Sequence, residues 1–409
     1  MATSPGANTL DTLNGLFKEV YAKDIEDLIP DGVKLLVKIP FAKKDSALGG
    51  AYHQPVTLGL EHGVTFAAAG DDAFALEAPV SGQLKDATVQ GTQLVLRSAI
   101  GYKSLSASSN GDKSAFKNAT KYVIANMLRS VTKKLEIEML YGQVGYATLA
   151  VNVVASNVIS IPAAQWAPGI WGGAEKMPIE QRTSAGTLVK SMNVVSVDFD
   201  NLQITVDGVA GTITAGDVLW HKTAYGNEFA GLHKIITNTG TIFGIDASQY
   251  ALFKGNTYSA GSAALSFSKV QDAVAKAVEK GLDNDVMVIV NPLVWSDLLN
   301  DEAANRMYDQ SYTPNKSENG AKEIMFHGQA GAIEIVSSIY CKRGFAYVIS
   351  PDEMMRIGSS DVTFKLPGTN DQFFRHLDSH AGVEMRCYCD QALFCFNIAK
   401  QVLITDITT

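Results

Sequence analysis

The chain has 409 residues, 46% hydrophobic and 19% charged, with a formal net charge of −8 and a pI near 5.4. This is folded material long enough for two or three domains, and its acidity speaks against a general nucleic-acid binder. Four cysteines are too few for a disulfide scaffold and read as folding in a reducing, intracellular place, while no leader-like segment and no run near 18 apolar residues suggests a signal peptide or a membrane helix.

Residues 1–9 are small and polar, a loose arm. Residues 9–28 have helical periodicity, with Leu13, Leu16, Phe17, Val20, Tyr21 and Ile25 on one face and Pro30 as the stop. That apolar face needs cover, from its own body or from a neighbouring subunit. From residue 34 to about 105 the pattern turns to β. LLVKI reads as a strand halted by Pro40, a Gly/Ala/Asp-rich stretch follows, and TQLVLRSAIGY closes the region. With little β-branched core material, it resembles a protruding hairpin more than a compact sheet, and a protrusion of that length has a partner surface.

Residues 112–141 form the clearest element. Phe116, Val123, Met127, Val131, Leu135 and Met139 recur at helical steps, neither Pro nor Gly interrupts, Ser109, Asn110 and Asp112 offer caps, and Gly142 offers a stop. Such a helix runs roughly 45 Å, far beyond the usual three turns. Lys113, Lys117 and Lys121 form a stripe, with Arg129, Lys133 and Lys134 further on. This is a solvated helix face, or a contact with acidic neighbours or phosphate.

Trp166 and Trp171 lie in a Pro/Gly-rich loop and suit packing anchors. Residues 187–260 read as a β-rich block. Leu202, Ile204 and Val206 alternate, Asp207–Gly208 is a turn signal with the strand resuming at Val209, and GDVLWH, HKIITN, GTIFGI and AALSFS extend the pattern. Asp198, Asp200 and Asn201 echo a calcium loop but lack its Gly and closing Glu. A helix returns at Ser268, with Ser268 and Gln271 as a capping box and Gly281 as the stop. VMVIV suits a buried strand, LVWSDLLNDEAANRMY a helix, and AIEIVSS, AYVIS, MMRIG, DVTFKL, GVEMRCYCD, ALFCFNIA and QVLITDI read as strands.

No P-loop, GxSxG, HExxH or dinucleotide glycine pattern is present, so no catalytic residue, cofactor or metal site is expected. His376, Asp378 and His380 have a spacing that ligates metal on a helix, but the segment leads into a strand and lacks further ligands. Cys387 and Cys389 share one strand face with Val383 and Met385 and read as buried thiols.

The order of elements carries a resemblance. An amphipathic arm ends at IPDGVKLLVKIPF, a Gly/Ala-rich β excursion closes with QGTQLVLRSAIGYKSLSAS, a long helix follows, and later come VMVIVNPLVWSDLLND and a set of strands. In this order the chain resembles the major capsid protein of tailed bacteriophages, the α+β Hong Kong 97-type shell fold. The resemblance implies an N-terminal arm (1–33), an extended loop over a neighbouring subunit (34–105) and a peripheral domain (106–165 with the spine helix, and 351–409). It further implies an axial domain (266–350) whose residues 310–321 meet at five-fold and six-fold positions, with 187–260 as an insertion beyond the minimal fold. The function it implies is assembly, as pentamers and hexamers, into an icosahedral phage head in the host bacterial cytoplasm, enclosing double-stranded DNA without reading its sequence. A separate scaffolding protein, a portal protein and possible decoration proteins are the implied partners, with no membrane. Leu13, Leu16, Phe17, Val20, Tyr21, Lys43, Lys44, Tyr52, Phe74 and Tyr312 are the candidate intersubunit contacts. No match to a crosslinking Lys–Asn pair is found for Lys43, Lys44 or Lys85. An encapsulin-like nanocompartment shell and a β-rich tail or receptor-binding protein are the alternatives.

Overall fold

The structure, a computed structural model, describes residues 32–42, 51–70, 72–102, 113–150, 156–209, 211–300, 324–365, 374–376 and 381–409. The first half contains α1 (Leu35–Lys38), β1 (Tyr52–Gly59), β2 (Gln83–Val89), β3 (Thr92–Gly101), the long helix α2 (Lys113–Tyr141), β4 (Ala147–Thr148) and β5 (Val158–Ser160). Next come α3 (Pro168–Trp171), β6 (Pro178–Arg182), β7 (Leu188–Asp198), β8 (Gln203–Val206), β9 (Val218–His221), α4 (Leu232–Thr237), β10 (Thr241–Ile242), β11 (Ile245–Asp246) and β12 (Asn256–Ala263). The remainder is α5 (Phe267–Val278), β13 (Val286–Val290), α6 (Pro292–Asn300), β14 (Ile324–His327), β15 (Ala332–Ser337), β16 (Ala346–Ile349), β17 (Met354–Thr363), β18 (Arg375–His376), β19 (Gly382–Cys395) and β20 (Val402–Ile407).

Three larger sheets organise these elements. In the first, β19 is central, with β17 and β18 on one side and β3 on the other, antiparallel from Gly382↔Gly101 to Gln391↔Thr92. The helix α2 packs on β3 and β19, and Met127, Val131 and Leu135 are buried there in the same core as Met385, Cys387 and Cys389. Burial pushes the Cys387 thiol up to about 11 and Cys389 to about 12, so both are inert packing groups. The second sheet has the order β12-β20-β16-β13-β15-β14. Its β13, VMVIV, is buried throughout, as a continuous apolar run demands, and α5 and α6 share a core with it through Val270, Val274, Val294 and Leu298. The third sheet is antiparallel, β4-β9-β6-β7-β8-β5. The residues read as one β-rich block therefore divide. β7 to β9 join strands that begin at β4, while β12 pairs in parallel with β20 of the second sheet.

Several local expectations are corrected. The predicted strand at LLVKI is the helix α1, because the Glu136 carboxylate accepts the backbone N–H groups of Lys34, Leu35 and Leu36, which a strand would not present together. HKIITN is helical over α4, where Leu232, Ile235 and Ile236 bury one stripe at i, i+3 and i+4. The hairpin turn of this region lies between β7 and β8, not at Asp207–Gly208, and Val209 does not resume a strand. The Asp198 carboxylate closes that turn by accepting from the N–H groups of Asp200 and Asn201 and from Asn201 Nδ2, so the calcium echo is turn chemistry. Ser266, not Ser268, caps α5 by accepting from Lys269 N–H. Trp166 and Trp171 are fully buried, with ring centroids 6.2 Å apart.

Candidate assembly surfaces

The β1–β2 ribbon pairs from Tyr52↔Val89 to Gly59↔Gln83. Its root is fixed to the body. Ala87 and Val89 are buried, the Tyr52 ring stands edge-on to Phe394 at 5.5 Å, Thr88 N–H donates to the Phe243 carbonyl, and Tyr250 Oη donates to Gln83. Beyond Gly59 the chain runs out through residues 60–82 and returns. His62 N–H reaches the Val80 carbonyl at 3.1 Å, holding the two limbs side by side. Here Phe66 is 91% exposed and Leu76 80%, with Leu60, Val64, Phe74 and Val80 exposed as well. Large apolar groups gathered on one exposed protrusion are the kind of surface that marks interaction sites. A two-stranded ribbon is by itself only marginally stable in water.

Below the ribbon, α2 anchors two other elements through carboxylates on its buried end. Glu136, fully buried, satisfies the start of α1 as described, and burial pushes its carboxyl up against the pull of those three N–H groups. One helical position pair further, Glu138 accepts from Phe229 N–H at 3.0 Å and from the Thr92 hydroxyl at the start of β3. Burial raises Glu138 to about 8, with the nearby Glu228 adding to the rise, and raises Glu228 itself to about 7. Lys134 faces the same cavity of about 260 Å³ and donates to Tyr146 Oη; burial lowers it to about 7. His221, also lining the cavity, is lowered by burial and by Lys134 to about 4. Lys133 donates to the Gly172 carbonyl. Lys133 and Lys134 thus point inward, which corrects their reading as part of a solvated or phosphate-facing stripe. The helix ends where Gly142 must be glycine. A Cβ there would lie 2.2 Å from the Phe229 carbonyl oxygen.

A groove of about 570 Å³ opens between α1 and β15. Val37 of α1, 79% exposed, lines it with Trp295 and Val336, and Lys34 and Lys38 stand at its rim. Lys38 pairs with Glu334 at 2.9 Å.

Of the candidate contacts read from sequence, Phe74 lies on the exposed ribbon tip, whereas Tyr52 is half-buried at the root and holds the ribbon to its own body. Leu13, Leu16, Phe17, Val20, Tyr21, Lys43, Lys44 and Tyr312 lie outside the described residues, as do Asp378 and His380. Sequence reasoning missed Phe66, Leu76, Val37 and Glu136. Large apolar residues within an Ala/Gly-rich excursion were the available signal for the first two; nothing local marks Glu136.

No protein-family model matches the chain, and no characterised protein matches it in sequence. Solved structures do. It superposes on a chain of the cyanophage A-1(L) capsid asymmetric unit with a TM-score of 0.62 at 13% identity, covering 98% of this chain and 100% of that one. The chain has the Hong Kong 97-type shell fold. A chain of the capsid of the native GTA particle gives a TM-score of 0.53 at 10% identity, covering 98% and 99%. One from the capsid of Myoviridae phage XM1 gives 0.50 at 9%, covering 99% and 100%. The shell fold was the architecture expected from the order of elements, and these likenesses span the whole of it.

Proposed function

We propose that this chain is a structural protein of a tailed-phage head, a non-enzymatic tile that assembles with copies of itself, as pentamers and hexamers, into a closed icosahedral shell around double-stranded DNA. The observation that carries the reading is the β1–β2 ribbon on a shell fold, rooted by Tyr52 and tipped by exposed Phe66 and Leu76. An apolar protrusion on a body with its own large core gains its burial from a neighbour. In this reading residues 34–105 form the loop that lies over the next subunit, α2 is the spine of the peripheral domain, and 266–350 is the axial domain around the symmetry axes. Residues 1–33 are an arm making a second intersubunit contact, and a scaffolding protein and a portal complete the assembly in the host cytoplasm. The net charge of −8 suits a wall that lies beside DNA without gripping it.

The test is sedimentation of the full chain, purified after expression alone and with a scaffolding protein. Assembly gives pentamers or hexamers and then particles of hundreds of copies. A species that stays monomeric or trimeric under both conditions contradicts the proposal and favours a tail or receptor-binding protein. Particles that package a co-expressed enzyme but never nucleic acid favour a nanocompartment shell instead.

A further inference from the structure

We infer that the tip of the β1–β2 ribbon seats in the groove between α1 and β15 of a second copy of this chain, with Phe66 against Val37 and Trp295. This rests on the self-assembly reading and names the receiving site. Both surfaces are apolar and open. Phe66 is 91% exposed on the tip and Val37 79% exposed in the groove. Covering them with each other removes both from water.

Their charges are also complementary. Residues 60–82 include Glu61, Asp71, Asp72 and Glu77 and no Lys or Arg. The groove presents Lys34 and Lys38 against one carboxylate, Glu334, which Lys38 already holds. Opposed charges of this kind fix register and steer encounter. The receiving element is held in place beforehand, because Glu136 ties the start of α1 to the spine helix. Less ordering is then left for the moment of docking. Finally, tip and groove are different surfaces of one chain. A contact between them is heterologous, so it repeats from copy to copy, and a rotation of one-fifth or one-sixth of a turn per copy closes it into a ring. Pentamers and hexamers need that geometry.

The test uses full-length chains. The single variants F66C and V37C are assembled separately and together, imaged for closed particles, and then mildly oxidised. The native cysteines among the described residues are all buried and stay silent. Mixed particles should give a disulfide-linked dimer on a non-reducing gel that neither variant gives alone, and the double variant F66C/V37C should give a ladder of multimers. Closed particles without the mixed dimer overturn this inference and leave the proposed function standing. Absence of particles from the unsubstituted chain, both alone and with a scaffolding protein, overturns the proposed function. Should the cysteine variants fail to assemble, hydroxyl-radical footprinting of unsubstituted protein decides. Phe66 and Trp295 should both lose at least threefold in reactivity on assembly, and unchanged reactivity at either overturns the docking.

Discussion

Glu136 and Glu138 are one residue apart from adjacency on the spine helix, yet they do different work. Glu136 supplies the acceptors for three backbone N–H groups of another element. Each buried N–H left without a partner costs roughly 1–3 kcal/mol. E136A should therefore destabilise the unassembled subunit by about 3 kcal/mol or more in urea unfolding, with E136Q intermediate because one acceptor oxygen remains. A change below about 1 kcal/mol in E136A would show that α1 does not depend on this anchor. Glu138 makes a pH-dependent contribution. Its folded pKa, about 8, lies above the ordinary 4.5, so the folded state binds this proton more tightly. The stabilisation is full in acid and is lost as pH rises from about 4.5 to about 8. E138Q removes that loss. Its unfolding free energy in urea relative to the unsubstituted chain should climb between pH 5 and pH 8, the difference growing by at most about 1.4 kcal/mol per pH unit. Lys134, lowered to about 7, has the opposite sign, its contribution being lost as pH falls from 10.5 towards 7. A flat difference between E138Q and the parent would contradict the buried cluster.

At the scale of elements, the ribbon separates folding from assembly. Its tip is exposed in the single chain, so F66S/L76S should change subunit stability by no more than about 0.5 kcal/mol. Burying a Phe or Leu is worth about 1.5–3 kcal/mol, so the same double variant should raise the concentration needed for assembly by at least about tenfold. Light scattering across a concentration series reads this directly, and an unchanged threshold would remove the tip from the assembly interface. Deleting residues 1–28 is the matching test of the arm. The body from Asp31 onward has its own dense contacts, so the truncated chain should fold, shown by an unchanged cooperative melt, and fail to form closed shells. Normal particles from it would dismiss the arm as an assembly element.

What could be read from sequence follows from the range of the interactions involved. The spine helix, the buried VMVIV strand and the two-cysteine face of β19 are set by periodicity within one element, and they lie where that periodicity puts them. The two short helices α1 and α4 read locally as strands because Val37, Ile39, Ile235 and Ile236 are β-branched. Their helicity comes from a carboxylate about a hundred residues away in one case and from packing on α2 in the other. Lys134 was misplaced for the same reason, since a lysine in a helix gives no local sign that Tyr146 and Glu228 will enclose it. The ribbon was legible as a protrusion from its Gly/Ala content, and Phe74 with it, but Tyr52 belongs to the root because it pairs with Val89 of β2 and its ring stands against Phe394.

For the molecule as a whole, the described residues form three larger sheets, the long helix α2 and the β1–β2 ribbon, and large apolar side chains stay exposed on that ribbon. Copies of such a chain should close on one another into a shell. Cryo-electron microscopy of the full chain, expressed with and without a scaffolding protein, tests it most directly. Closed icosahedral particles are expected, or curved sheets when scaffold is absent, in which each ribbon tip lies over a neighbouring copy. Dispersed monomers or trimers under both conditions would contradict it.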